Sequence, residues 1–342
     1  MIPRVEVAPG LFLSRLIKGG WHLAGDHGDV DPEQAIRDMA SFVDAGITTF
    51  DCADIYTGVE ELIGRFRREY PGHAARLRVH TKFVPDLEQL ATVDRAYVER
   101  IVDRSLQRLG VERLDLVQFH WWDHSVTRYV EVALELERLR KAGKIAQIGV
   151  TNFGVAELGE LLAAGVPVLT HQLQYSLLDD RPEHGMVELG RARGIALLAY
   201  GTVAGGFLSD RWLGEPSPSE PLGNRSLVKY RLIIDEYGGW PLFQELLAAL
   251  RQVADRHGCD VATVATRMVL DRPGVAAAIV GATSTAHLAA HARVGSLELD
   301  GEDRARIEAV TRRRKGPPGD VYTLERDRDG PHGRIMKYSL NG

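Results

Sequence analysis

Four side chains in this 342-residue chain would, if brought together, deliver a proton to a reducible oxygen: Asp51, Tyr56, Lys82 and His120. Asp51 and Tyr56 lie in "FDCADIY" (50–56), Lys82 in "HTKF" (80–83) and His120 in "VQFHWWD" (117–123). A free phenol has a pKa of about 10, too weak an acid for neutral pH unless its anion is stabilised. An ammonium beside it would lower that pKa, and a carboxylate would keep the ammonium charged and oriented. An imidazole could donate a hydrogen bond to the same oxygen, orienting a substrate and sharing the developing charge. Singly, each residue has a plain explanation: a solvated strand-end carboxylate, a snorkelling lysine, a hydrogen-bonded core histidine. Jointly, at the ends of neighbouring strands, they read as chemistry.

The elements that would carry them alternate along the chain. Short apolar runs fall at 16–20, 48–51, 77–83, 114–120, 145–150, 166–172, 196–200 and 277–280. Between them lie segments of helical period such as 32–46, 93–110 and 128–143, each closing on a glycine as a helix C-terminus would. Alternating β and α implies a parallel sheet covered by helices, and eight strands suggest a closed (β/α)8 TIM barrel. In such barrels catalytic residues come from the carboxyl ends of several strands, where all four residues fall. "IKGGWHLAGDHGD" lacks the Gly-x-Gly-x-x-Gly spacing of an open dinucleotide fold. The division expected is a single barrel domain over 1–310 and a C-terminal extension over 311–342. Residues 201–240, rich in Gly, Pro and Ser, read as a long, mobile flap after the seventh strand. Tyr322, Tyr338 and the Ile335-Met336 pair suggest that the extension packs on the barrel.

Composition narrows the function classes. A net charge of −5 with no basic stripe gives nucleic-acid binding little electrostatic support. The amino-terminal stretch lacks the pattern of a secretory signal, and no apolar run approaches the ~20 residues that span a bilayer. The two cysteines, Cys52 and Cys259, have no metal-ligand spacing and read as reduced thiols, so the expectation is a cytoplasmic protein without a metal. The oligomeric state is left open.

The quoted motifs resemble the aldo-keto reductase family over roughly residues 10 to 300. "FDCADIYTGVEELIGR" (50–65) matches the signature around the family's acid and tyrosine, with Asp51, Ala53, Tyr56, Glu61, Leu62 and Gly64 in place. Lys82 and His120 match the family's lysine and histidine. "IGVTNF" resembles the segment that holds the nicotinamide carboxamide, here through Thr151 and Asn152, with Gln172 supporting the same group and Tyr200 stacking on the ring. The resemblance therefore implies a TIM-barrel oxidoreductase that reduces an aldehyde or ketone with NAD(P)H. Hydride must come from such a cofactor, since no side chain supplies it.

The match thins in "AAIVGATSTAHLAAHARV" (276–293), where relatives carry a basic residue for the adenosine 2′-phosphate. Here Gly281, Thr283, Ser284, His287 and His291 would hold that half of the cofactor, without a fixed charge. The resemblance places NADP(H) ahead of NAD(H), with weak discrimination that rises as pH falls and the histidines charge. Trp21, His22, Trp121 and Trp122 follow strand ends and would face the pocket mouth, where rings could stack on a small carbonyl compound; Trp122 reads equally well as packing beneath the 201–240 segment. Two other readings stay open: a lyase, dehydratase or isomerase using the same four residues for proton transfer, and a non-catalytic regulatory subunit.

Overall fold

A computed structural model describes residues 2–24, 30–219, 221–281 and 284–340. An antiparallel hairpin of β1 (Arg4–Ala8) and β2 (Leu11–Ser14) comes first, turned at Gly10, and precedes the barrel. Eight parallel strands follow: β3 (Leu16–Gly19), β4 (Thr49–Asp51), β5 (Arg78–Phe83), β6 (Leu114–His120), β7 (Ile145–Thr151), β8 (Val168–Gln174), β9 (Ala196–Tyr200) and β10 (Val275–Gly281). They pair in chain order, and β10 closes the barrel against β3 with Gly281 opposite Gly19.

Helices cover the outside and start where the side chains cap them. Asp31 accepts from the Glu33 amide at the start of Pro32–Asp44, and Asp94 from the Tyr97 amide at the start of Arg95–Leu109. Gly110 ends the latter helix with φ of 65°, a conformation that side chains with a Cβ resist. The strands are apolar on both faces because helices lie outside and packed side chains inside. Polar residues enter at their carboxyl ends, so the register fixes the site: Lys82 pairs with Gln118, His120 with Thr151, and Thr151 with Gln172. In a strand, residues two apart share a face, which aims Gln118 and His120 at the same interior.

The 201–240 segment differs from a flexible loop. Residues Arg225–Tyr237 form a helix capped by Asn224, and Gly239–His257 form the next. Tyr230, Ile233, Ile234 and Tyr237 are buried in a second apolar cluster with Phe207, Phe243 and Leu246. The glycines before them serve close approach: Gly201 has φ of +72°, and a Cβ there would lie 2.1 Å from the Tyr230 hydroxyl. Among the described residues, 215–219 and 221–223 lie outside any helix or strand. Hydrogen exchange should therefore slow in 201–224 on cofactor addition, while 225–237 is already protected without it. Equal slowing along the whole of 201–240 would return the segment to a single mobile flap.

The extension lies against the barrel's carboxyl face. Tyr322, Glu325 and His332 are buried, and Met336 and Tyr338 pack on the barrel core. The Leu87 amide donates to the Tyr338 carbonyl (2.9 Å), and the Leu340 amide to Asp86 (2.7 Å).

Candidate active site

A cavity of about 720 Å³ opens at the carboxyl ends of the strands, with Asp51, Tyr56, Lys82 and His120 on its wall. Lys82 Nζ donates to Asp51 Oδ2 at 2.6 Å and to the Cys52 carbonyl at 2.9 Å, and lies 4.8 Å from the Tyr56 ring centre. The other carboxylate oxygen of Asp51 accepts from Gln118 (2.9 Å) and Gln172 (2.6 Å). Burial opposes the Lys82 charge, but Asp51 and Tyr56 outweigh it and the ammonium pKa rises. Cys52 is fully buried, and burial pushes its thiol well up, so it is an inert packing residue beside the acid.

Burial raises the Tyr56 pKa, and Lys82 lowers it as expected but by less, so the net shift is upward. His120 is not poised to donate from its cavity side. Its Nδ1 faces the Thr151 carbonyl oxygen at 3.1 Å, an atom that only accepts, so the proton sits on Nδ1. Burial lowers its pKa to about 3, leaving the ring neutral and Nε2 a bare acceptor. Trp122 and Tyr322 stand edge-on against the ring, with centroids at 4.3 and 5.7 Å, and hold its orientation.

The residues expected to hold a nicotinamide, Thr151, Asn152, Gln172 and Tyr200, all line the same cavity. Thr151 Oγ1 is buried and has no hydrogen-bond partner, a polar atom left for a ligand amide. Asn152 has φ of 60° and accepts from the Tyr200 hydroxyl at 2.9 Å. Gln172 also braces the acid: its amide nitrogen donates to Asp51 and Gln118.

At the other end, Gly281, His287 and His291 reach the wall and Asp260 lies beside them. Ser284 does not: exposed, it accepts from the Ala286 amide and caps its own turn. Thr283 lies outside the described residues. Among the aromatic expectations, Trp21 stands edge-on to Tyr56 at 5.1 Å and, with His22 and Trp122, lines the cavity. Trp121 fails: it is fully buried, and its indole N–H donates to the Val126 carbonyl at 2.9 Å. Adjacent to His120, it takes the opposite side of the chain and packs edge-on against Phe119.

The sequence reading missed several residues. Gln118, two positions before His120, was legible as a polar residue on the interior face of an apolar strand. Arg211, Arg225 and Lys229 bring cations from the 201–240 segment to the cavity, and Tyr322 brings a further phenol from the extension. Lys229 Nζ lies 5.3 Å from the Tyr200 ring centre and 3.6 Å from Glu325.

Comparison with known proteins agrees with this fold. The aldo/keto reductase family model matches residues 15–312. The chain is 30% identical over 312 residues to aldo-keto reductase YhdN of Bacillus subtilis, covering 88% of this chain and 91% of that one. It is 28% identical to the L-glyceraldehyde 3-phosphate reductase of Escherichia coli K12, covering 82% of this chain and 83% of the other. Among solved structures, a glycerol dehydrogenase from Gluconobacter oxydans superposes with a TM-score of 0.76 at 25% identity, covering 93% of this chain and 97% of that one. With an eight-stranded barrel, a lysine–carboxylate pair under a tyrosine at its mouth, and a family match across nearly the whole barrel, the chain belongs to the aldo/keto reductase family.

Proposed function

We propose that the protein reduces an aldehyde or ketone with a nicotinamide dinucleotide, using Tyr56 as the proton donor. The observation that carries the reading is the buried Asp51–Lys82 pair at 2.6 Å with the Tyr56 ring 4.8 Å from the ammonium. When bound, the dinucleotide supplies the hydride. The Tyr56 hydroxyl donates to the carbonyl oxygen and passes its proton there as that oxygen gains charge. Lys82 stabilises the phenolate left behind, and Asp51, fixed by Gln118 and Gln172, keeps Lys82 charged and in place. Thr151, Asn152 and Tyr200 provide a hydroxyl, an amide and an aromatic face for the nicotinamide, and Trp21 and Trp122 narrow the site against water. Soluble carbonyl compounds small enough for the cavity are the partners this reading needs. A carbonyl screen with NADPH and NADH tests it: turnover of a carbonyl compound with oxidation of either cofactor is expected. Failure to bind both would leave proton transfer without redox change as the reading of the same residues.

Cofactor choice follows from the adenosine end. Burial lowers the His291 pKa to about 4, so that ring stays neutral at physiological pH and adds no positive charge for a phosphate between pH 8 and 6. Arg293 is turned away, donating to the His257 carbonyl at 2.8 Å, and Asp260 places a carboxylate on the wall. A charge-assisted hydrogen bond to the 2′-phosphate contributes on the order of 1.5–3 kcal/mol, or roughly 10- to 150-fold in affinity. Without one from this end, the two dissociation constants should differ by less than about tenfold. Calorimetric titration at pH 6 and pH 8 reads this directly. A large NADPH preference at both pH values would assign the phosphate to Arg211 or Arg225.

A further inference from the structure

The family match ends at residue 312, yet two charged side chains beyond that point hold the turn that carries Asn152. Asn152 follows β7 with φ of 60°, a left-handed conformation that asparagine tolerates better than most residues but that its surroundings must hold. The direction of its side chain is set by the two peptide planes that flank its Cα. Its own amide donates to the Gln172 carbonyl at 2.9 Å, which fixes the plane before it. The plane after it is held at both ends. The Phe153 amide donates to His171 Nε2 at 3.1 Å, and the Asn152 carbonyl accepts from the Arg326 guanidinium. Three positions on, the Val155 amide opens a helix (Val155–Ala163) whose N-cap, Gly154, has no side chain to receive it. Asp320 supplies the missing acceptor, with Oδ2 at 2.6 Å from that amide.

We propose that Arg326, with Asp320, is a positioning residue for the dinucleotide: from the C-terminal extension it sets the Asn152 side chain for the nicotinamide carboxamide. The proposal rests on the dinucleotide-dependent reading and gives the extension a part in it. Tyr200 donates to Asn152 Oδ1, which leaves the amide nitrogen of that side chain as the group offered to a ligand in the cavity. A donor that carries charge binds a backbone oxygen more strongly than a neutral one, and Arg326 directs two such bonds at the Asn152 and Val321 carbonyls. The second of these ties the guanidinium to its own segment, so a shift of the extension moves the Asn152 peptide with it. The clamp acts on one half of the cofactor. Asp260, His287 and His291, at the other end of the cavity, belong to the barrel and have no link to Arg326 among the described bonds. Linkage then works both ways: whatever the extension adds to nicotinamide binding, a bound nicotinamide returns to the extension as stability.

Calorimetric titration of the wild type and Arg326→Met with two matched pairs of probes separates this from a merely structural role. NADH is compared with ADP-ribose, and NADPH with 2′-phospho-ADP-ribose; each fragment lacks only the nicotinamide. The variant should bind both dinucleotides roughly 2- to 10-fold more weakly, the range for one misplaced neutral hydrogen bond, and both fragments as the wild type does. Equal weakening of dinucleotide and fragment would overturn the proposal, because the loss would then be general. Unchanged dinucleotide affinity would overturn it too. A second measurement uses the wild type alone and does not depend on the variant folding. Hydrogen exchange in 319–326 should slow when NADH or NADPH binds and stay as it was when the matching fragment binds. Equal slowing with fragment and dinucleotide, or none with either, would sink the idea. Either of those results with intact dinucleotide binding removes this proposal alone, whereas failure of both dinucleotides to bind the wild type removes the functional reading beneath it as well.

Discussion

Tyr56→Phe lowers kcat for carbonyl reduction by roughly 10²- to 10⁴-fold, the usual contribution of a positioned proton donor, and leaves dinucleotide affinity nearly unchanged. The size follows from Tyr56 being the proposed proton donor. His120, neutral with its proton on Nδ1, does not substitute for it, and Lys82 is occupied by Asp51 and the Cys52 carbonyl. The fold should tolerate the change, because phenylalanine keeps the edge-on contact with Trp21. A pH profile adds a second readout. The phenol pKa is raised from its ordinary value of 10.0, the Lys82 pKa is raised from 10.5, and the His120 pKa is pushed down to about 3. None of the three titrates between about pH 4 and pH 9, so kcat for reduction should be flat across that interval. Wild-type turnover in the variant would remove Tyr56 from the mechanism, and a step near pH 6.5 would mean that His120 changes charge during turnover.

The sequence carried the barrel because parallel strands buried on both faces read as continuous apolar runs, and "LDLVQFH" and "IAQIGV" stand out against the charged helices between them. It also carried the reacting groups, since Asp51, Lys82 and His120 end strands and the barrel brings strand ends together. The β1–β2 hairpin was available in "RVEVAPGLFLS", which alternates and contains Pro-Gly, but it lies outside the barrel rhythm. Composition misled at 225–237: Leu227, Tyr230, Ile233, Ile234 and Tyr237 repeat at helical spacing, yet the Gly- and Pro-rich stretch before them coloured the whole segment. The proton position on His120 was out of reach, because it depends on a carbonyl oxygen from the neighbouring strand. So was the partner of Arg181, which lies 144 positions away in a tail whose charges look solvated.

That partner sets the largest expected effect on stability. Arg181 is 1% exposed, and its guanidinium holds two carboxylates that are themselves 0% exposed: Asp179 at 2.9 and 2.7 Å, and Glu325 at 2.9 and 3.2 Å. Lys229 adds a second cation 3.6 Å from Glu325, and the neighbouring Arg326 donates to the Asn152 carbonyl, so the extension is pinned to the cavity rim. Arg181→Met fills similar volume but leaves Asp179 buried without its cation and Glu325 with Lys229 alone. Breaking a buried pair from one side costs about 3–5 kcal/mol, read as a lower midpoint in urea with an unchanged slope. Acid weakens the same cluster. Burial opposes the Glu325 charge, but Arg181 and Lys229 outweigh it and bring the pKa from 4.5 to about 2. In the wild type the stabilisation this represents is fully present above about pH 4.5 and is lost as pH falls toward 2. The variant lacks the Arg181 share of it from the start, so the stability gap between the two should narrow over the same interval. Tyr322, three residues before Glu325, forms one edge of the His120 clamp, and loosening the extension should raise KM for the carbonyl substrate more than it lowers kcat. An unchanged urea midpoint in Arg181→Met, or a gap that stays constant on acidification, would show that the buried cluster does not hold the extension in place.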